Sequence, residues 1–136
     1  MKRDPAQQEQ LHSMLNKARR SLNAARQHHA DKDHDFAASR AYYAAFYAIE
    51  AALLSEGIIC STHSGTLSEF GKVFLKSGIL PVSFSTVATR LSRERQIGDY
   101  EFDMSVSQSD AEQDIEEAAS LVNVIAIHLL GDVSQC

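Results

Sequence analysis

The stretch SRERQIGDYEF, residues 92–102, sets Arg93, Arg95, Asp99 and Tyr100 within eight positions. Guanidinium groups stay charged and grip phosphate oxygens two at a time, while a phenol offers a flat face and a hydroxyl. Chemistry at a phosphate needs a base, a cation for charge building on phosphorus and an acid for the leaving oxygen. Arg95 suits the second role. Tyr100 is a poor base, because an ordinary phenol keeps its proton at neutral pH. Asp99 is weakened as a base by the cation beside it. Two readings stand: Arg95 and Asp99 pair at a helix end while Tyr100 packs, or the group contacts phosphate.

Two further candidates lie upstream. His63 sits in STHSG, a loop whose small residues can aim backbone N–H groups at an anion, with a helix N-terminus to follow. In a folded dimer His63 could approach Arg95; alternatively Thr62 or Ser64 caps the next helix and His63 is a satisfied loop residue. Arg40 interrupts an otherwise apolar helix, close in angle to Tyr43 and Tyr47. It pairs with Glu50 or another acid, or it faces a solvated cleft, since an unpaired buried charge is costly. Tyr42 and Tyr43 cannot share a helix face, so one of them looks outward or across an interface. His28, His29 and His34 stand among Asp31, Asp33 and Asp35, but adjacent helical positions diverge by about 100°, so they are read as a solvated helix end. His128 is read as a core or interface residue. No Gly-rich phosphate loop, nucleophile elbow or zinc spacing is present. No metal or cofactor is expected.

The elements that must position these residues read as helices. Asp4-Pro5 resembles an N-cap with Pro at the first helical position. Leu11, Met14, Leu15, Ala18, Leu22 and Ala25 then mark one helical face that ends in HHADKDHD, 28–35. Residues 35–57 form a second helix, with Phe36, Tyr43, Tyr47 and Leu54 on one stripe and Ala37, Ala41, Ala44, Ala48 and Ala51 on another. A helix apolar nearly all round belongs at the centre of a bundle or an interface. A short third helix carries Leu67, Phe70, Val73 and Phe74, and a fourth carries Phe84, Val87, Ala88 and Leu91. The fourth is predicted to break at Gly98, leaving 99–109 as a loop. A last helix starts near Ser109-Asp110 with a heptad-like seam, Ala111 to Leu129, and closes at Gly131. The prediction is an all-α, up-and-down antiparallel bundle of four to five helices. It occupies 1–136 as a single domain, with the first and last few residues outside the packing.

Composition narrows the function classes. With 136 residues, 44% hydrophobic and 23% charged, the chain can bury a core without staples. A net charge of −5 argues against charge-driven binding of DNA or RNA in general, though not against a local basic patch. Cys60 and Cys136 are too few for a disulfide framework and are read as reduced thiols. No run is apolar enough for a membrane span and no secretory leader is visible, so a cytoplasmic protein is expected.

The order of SRAYYAAFYAIEAALLSEGI, THSG, a short helix ending KSGIL, RERQIGDY and a long final helix resembles the HEPN superfamily, in particular its small stand-alone prokaryotic members. The resemblance spans about residues 35 to 130. It implies a homodimeric helical bundle, often partnered by a minimal nucleotidyltransferase in toxin–antitoxin pairs, and in many members a metal-independent ribonuclease. Nuclease members carry a His four to six residues after the Arg; here Tyr100 stands at the fifth position after Arg95, and no His lies between Val82 and Ile127. The expectation is therefore a toxin-like or accessory protein that binds nucleotide or RNA phosphates through Arg95, Asp99, Tyr100, Arg40 and His63, or binds a partner nucleotidyltransferase, or both. The alternatives are an active ribonuclease using His63 and Arg95, and a ligand-free assembly module. Tyr100 is also the candidate, by position, for nucleotide transfer from a partner enzyme.

Overall fold

The computed structural model describes residues 4–103 and 105–131; Cys136 and the chain ends expected to stand off the packing lie outside them. Five helices build an all-α bundle: α1 (Pro5–Ala30), α2 (His34–Ser55), α3 (His63–Phe70), α4 (Phe84–Tyr100) and α5 (Gln108–Leu130). α3 runs on into one π-helical turn, Gly71–Leu75. Side chains cap most of the starts. Asp4 accepts from the Gln7 N–H at 2.8 Å with Pro5 following, and Thr62 accepts from the Gly65 N–H at 2.9 Å. Each cap satisfies a backbone donor that the first turn leaves orphaned.

α2 lies at the centre, packed against all four other helices. Its predicted alanine stripe, Ala37, Ala41, Ala44, Ala48 and Ala51, is entirely buried. Small side chains there let neighbouring backbones come close, and Leu11, Leu15, Leu121 and Ile125 fill the remaining space with no exposure. The other stripe behaves differently. Tyr43, Tyr47 and Leu54 are half-buried and Phe36 is exposed, so this face of α2 is left open to a groove.

α4 departs from expectation. It does not break at Gly98 but continues to Tyr100, and the Glu101 N–H still donates to the Ile97 carbonyl at 3.2 Å. Asp99 and Tyr100 are therefore helical, not part of a loop. The glycine serves another purpose: a Cβ there would stand 2.5 Å from the Asp35 carbonyl oxygen, so only glycine admits this approach of α4 to the start of α2. Asp35 also accepts the Val106 N–H at 2.8 Å, which fastens the connection beyond α4. α5 begins at Gln108, just before the predicted Ser109-Asp110, because the Ser107 hydroxyl caps the Asp110 N–H at 3.1 Å.

Candidate functional site

The close approach at Gly98 sets the last turns of α4 beside the tyrosine face of α2, with an open groove of about 420 Å³ between them. α2 contributes Arg40, Tyr43 and Tyr47, and α4 contributes Arg95, Asp99 and Tyr100. Four of the five residues singled out from sequence share this groove. His63 does not line it. Arg93 is exposed and also lies elsewhere.

Arg95 sits among tyrosines. Its Nη2 donates to the Tyr43 hydroxyl at 2.6 Å and reaches the Tyr100 hydroxyl at 3.5 Å. Its Cζ lies 5.3 Å from the Tyr43 ring, 5.3 Å from the Tyr100 ring and 5.5 Å from the Tyr42 ring, all within cation–π range. Nε is 2.9 Å from Asp99 Oδ2, an ion pair by distance, yet its N–H is not aimed at that oxygen and makes no hydrogen bond. Burial works against this charge, but Tyr43, Tyr100 and Asp99 more than offset it, so the guanidinium is held above its ordinary pKa. Both sequence readings thus coexist in one side chain: Arg95 pairs with Asp99 and also opens on a groove. Arg40 has no carboxylate partner among the described residues; its Cζ rests 4.9 Å from the same Tyr43 ring. Two guanidiniums therefore face one carboxylate.

His63 belongs to a neighbouring arrangement. Its Nδ1 is 2.9 Å from the Tyr42 hydroxyl, and its ring stacks on Phe46 at 4.3 Å. Burial pushes the Tyr42 phenol up to about 12, against the lowering effect of Arg95, so its proton stays in place. Where the Tyr42 hydroxyl is the donor of this bond, a neutral His63 carries its ring proton on Nε2. That tautomer presents a donor to solvent, which is not what a general base requires.

The other histidines do not assemble a metal centre. His29 and His34 meet Nδ1 to Nδ1 at 3.2 Å and His28 lies edge-on to Phe36, but no set of three or more ligating side chains converges among the described residues. His128, read as core or interface, is exposed and stands edge-on to Phe74. One cluster escaped the sequence reading. Arg90 Nε lies 2.9 Å from Asp114 Oδ1, and its Nη2 lies 3.2 Å from Asp110 Oδ1 and 3.8 Å from Glu94 Oε1. The signal was present as two four-residue spacings, Arg90 to Glu94 and Asp110 to Asp114, on helices that sequence alone could not juxtapose. No described helix is long and apolar enough to cross a membrane.

Comparison with known proteins places this geometry in context. The family model described as HEPN domain matches residues 11–128. A protein of Methanocaldococcus jannaschii named "Putative toxin" is 31% identical over 121 residues, covering 89% of this chain and 82% of its own. A Gloeobacter violaceus protein named "UPF0332 protein" is 35% identical over 112 residues, covering 82% of this chain and 89% of its own. A solved structure from Thermus thermophilus superposes with a TM-score of 0.71 over 85% of this chain and 94% of that one; at 19% identity it speaks for the fold alone.

Proposed function

This chain belongs to the HEPN domain family, and on that premise we propose that it is a toxin-like HEPN protein whose groove between α2 and α4 binds the phosphates of a nucleotide or of RNA. The observation that carries the reading is the charge balance of the groove. Arg40 and Arg95 face it with Asp99 as the one carboxylate in its wall among the described residues, on a chain of net charge −5. Arg95 is held in place by the Tyr43 and Tyr100 hydroxyls and by the rings around it, which preorganises its guanidinium for an anion. Tyr100 stands where nuclease relatives carry His, and Tyr42 engages His63 outside the groove. Both favour binding over cleavage. A second copy of the chain, or a minimal nucleotidyltransferase, is the partner this reading allows across the groove's open side.

The test is RNA binding and cleavage in EDTA with Arg95→Ala and His63→Ala beside the wild type. Removing a charge-assisted contact worth about 1.5–3 kcal/mol should weaken binding by about tenfold or more in Arg95→Ala. RNA affinity unchanged in that variant would overturn the proposal. Cleavage abolished by either substitution would replace it with the ribonuclease reading.

A further inference from the structure

The groove does not end at Tyr47. A second depression, lined by Lys17, Arg20, Ser21, Ala24, Arg40 and Tyr47, shares Arg40 and Tyr47 with it, so the two form one continuous strip from α4 across α2 onto α1. We infer that this strip is an extended track for a single-stranded polynucleotide, in which Lys17 and Arg20 of α1 form a second phosphate subsite. The inference rests on the phosphate-binding reading of the groove and says how far the ligand reaches.

Three observations carry it. First, a pair of neighbouring rings is flanked by cations along the strip. Arg95 Cζ is 5.3 Å from the Tyr43 ring, Tyr43 and Tyr47 are 6.0 Å apart, and Lys17 Nζ is 4.9 Å from the Tyr47 ring. Every nucleotide of a strand brings one phosphate charge, so a strip that carries cations at both ends meets more than one phosphate where an isolated Arg95 would meet one. Second, positive charge predominates. Lys17, Arg20, Arg40 and Arg95 line the strip and Asp99 is the one carboxylate among the lining residues. Glu50, which feels the Lys17 charge, opens instead into a separate apolar cavity beside Leu53 and Ile58. Third, the subsites are fixed relative to one another, because the buried Ser21 hydroxyl of α1 donates to the Arg40 carbonyl of α2 at 2.7 Å. Aromatic faces and guanidinium planes serve splayed bases, which points to a single strand in preference to a duplex.

The experiment titrates the full chain with a fluorescent adenylate dinucleotide, an octanucleotide and the matching octamer duplex, over a range of salt. The expected result is that Lys17→Ala with Arg20→Ala weakens the octanucleotide roughly tenfold, leaves the dinucleotide unchanged, and makes the salt slope shallower by about 1.4. Arg95→Ala should weaken both ligands, and Lys72→Ala, a charge on the π-helical turn outside the strip, should weaken neither. Equal affinity of the wild type for the two lengths, or an equal loss in Lys72→Ala, would overturn the track while leaving the groove reading intact. Tighter binding of the duplex would overturn the single-strand assignment. Indifference of both ligands to Arg95→Ala would bring down the groove reading and the track with it.

Discussion

Arg95 engages three hydroxyl or carboxylate neighbours and still turns an edge to solvent, and the partners differ in how visible they were beforehand. Asp99 is four residues away on the same helix, a spacing that sequence shows directly. Tyr43, the closest partner at 2.6 Å, is 52 residues away, and nothing in a linear pattern pairs them. The same holds for Tyr42 and His63, which meet only because α3 packs on α2. The tautomer argument for that pair makes a prediction. In nitrogen-15 spectra at neutral pH, neutral His63 should carry its proton on Nε2, and Tyr42→Phe should mix the two tautomers. The same substitution should cost about 0.5–1.5 kcal/mol in urea unfolding, the net worth of one hydrogen bond. A wild type with the proton on Nδ1 would mean that the hydroxyl accepts, and His63 would regain its claim as a base.

At the scale of elements, caps and periodicity were legible because they are local, whereas helix ends decided by tertiary contact were not. Glycine near the end of a helical pattern is ordinarily a stop signal, and Gly98 reads as one. Here it is a contact residue, and the two readings differ in sign. A glycine in a helix exchanged for alanine should gain about 1 kcal/mol from propensity alone. Gly98→Ala should instead destabilise by about 1–3 kcal/mol, since the new methyl meets the Asp35 carbonyl and α4 must move away. Chemical denaturation gives the sign directly, and a stabilised variant would restore the stop reading.

The α4–α5 contact carries a second expectation at this scale. Glu94 Oε1 and Asp114 Oδ2 are buried with no donor, and the two carboxyls interact beside Arg90. A proton held on Asp114 would give this buried pair a donor that it otherwise lacks. Burial raises the Asp114 carboxyl to about 7, Arg90 works against this and Glu94 adds to it. Because the folded value lies above the unfolded one, the folded state binds the extra proton. Stability from this group is full below the unfolded pKa, near 4, and is lost as pH rises through about 7. Asp114→Asn supplies the missing donor permanently. Its stability relative to wild type should therefore rise with pH across that window, leaving it the more stable of the two at mildly alkaline pH. A parallel pH dependence in the two proteins would show that the pair does not hold the proton.

The molecule as a whole is acidic with a basic strip, and two of its exposed aromatic side chains stand in the wall of that strip. Phe36 and Tyr100 in the groove wall are 53% and 58% exposed, and Phe102, two residues beyond α4, is 99% exposed. Exposed aromatic rings in a groove wall, with another just beyond the helix that forms it, are the kind of apolar surface that marks an interface. A second copy packed there would bury them and leave the guanidiniums lining a cleft between subunits. The solution mass should therefore be that of a dimer by sedimentation equilibrium. Phe102→Asp, at a position whose side chain touches almost nothing within the chain, should shift it towards monomer with an unchanged helical spectrum. Ile127→Asp, on the exposed side of α5 at 47% exposure, provides the contrast. A mass that falls with Ile127→Asp but not with Phe102→Asp would move the interface to α5 and leave the groove facing solvent. Its ligand would then have to be held by one subunit alone.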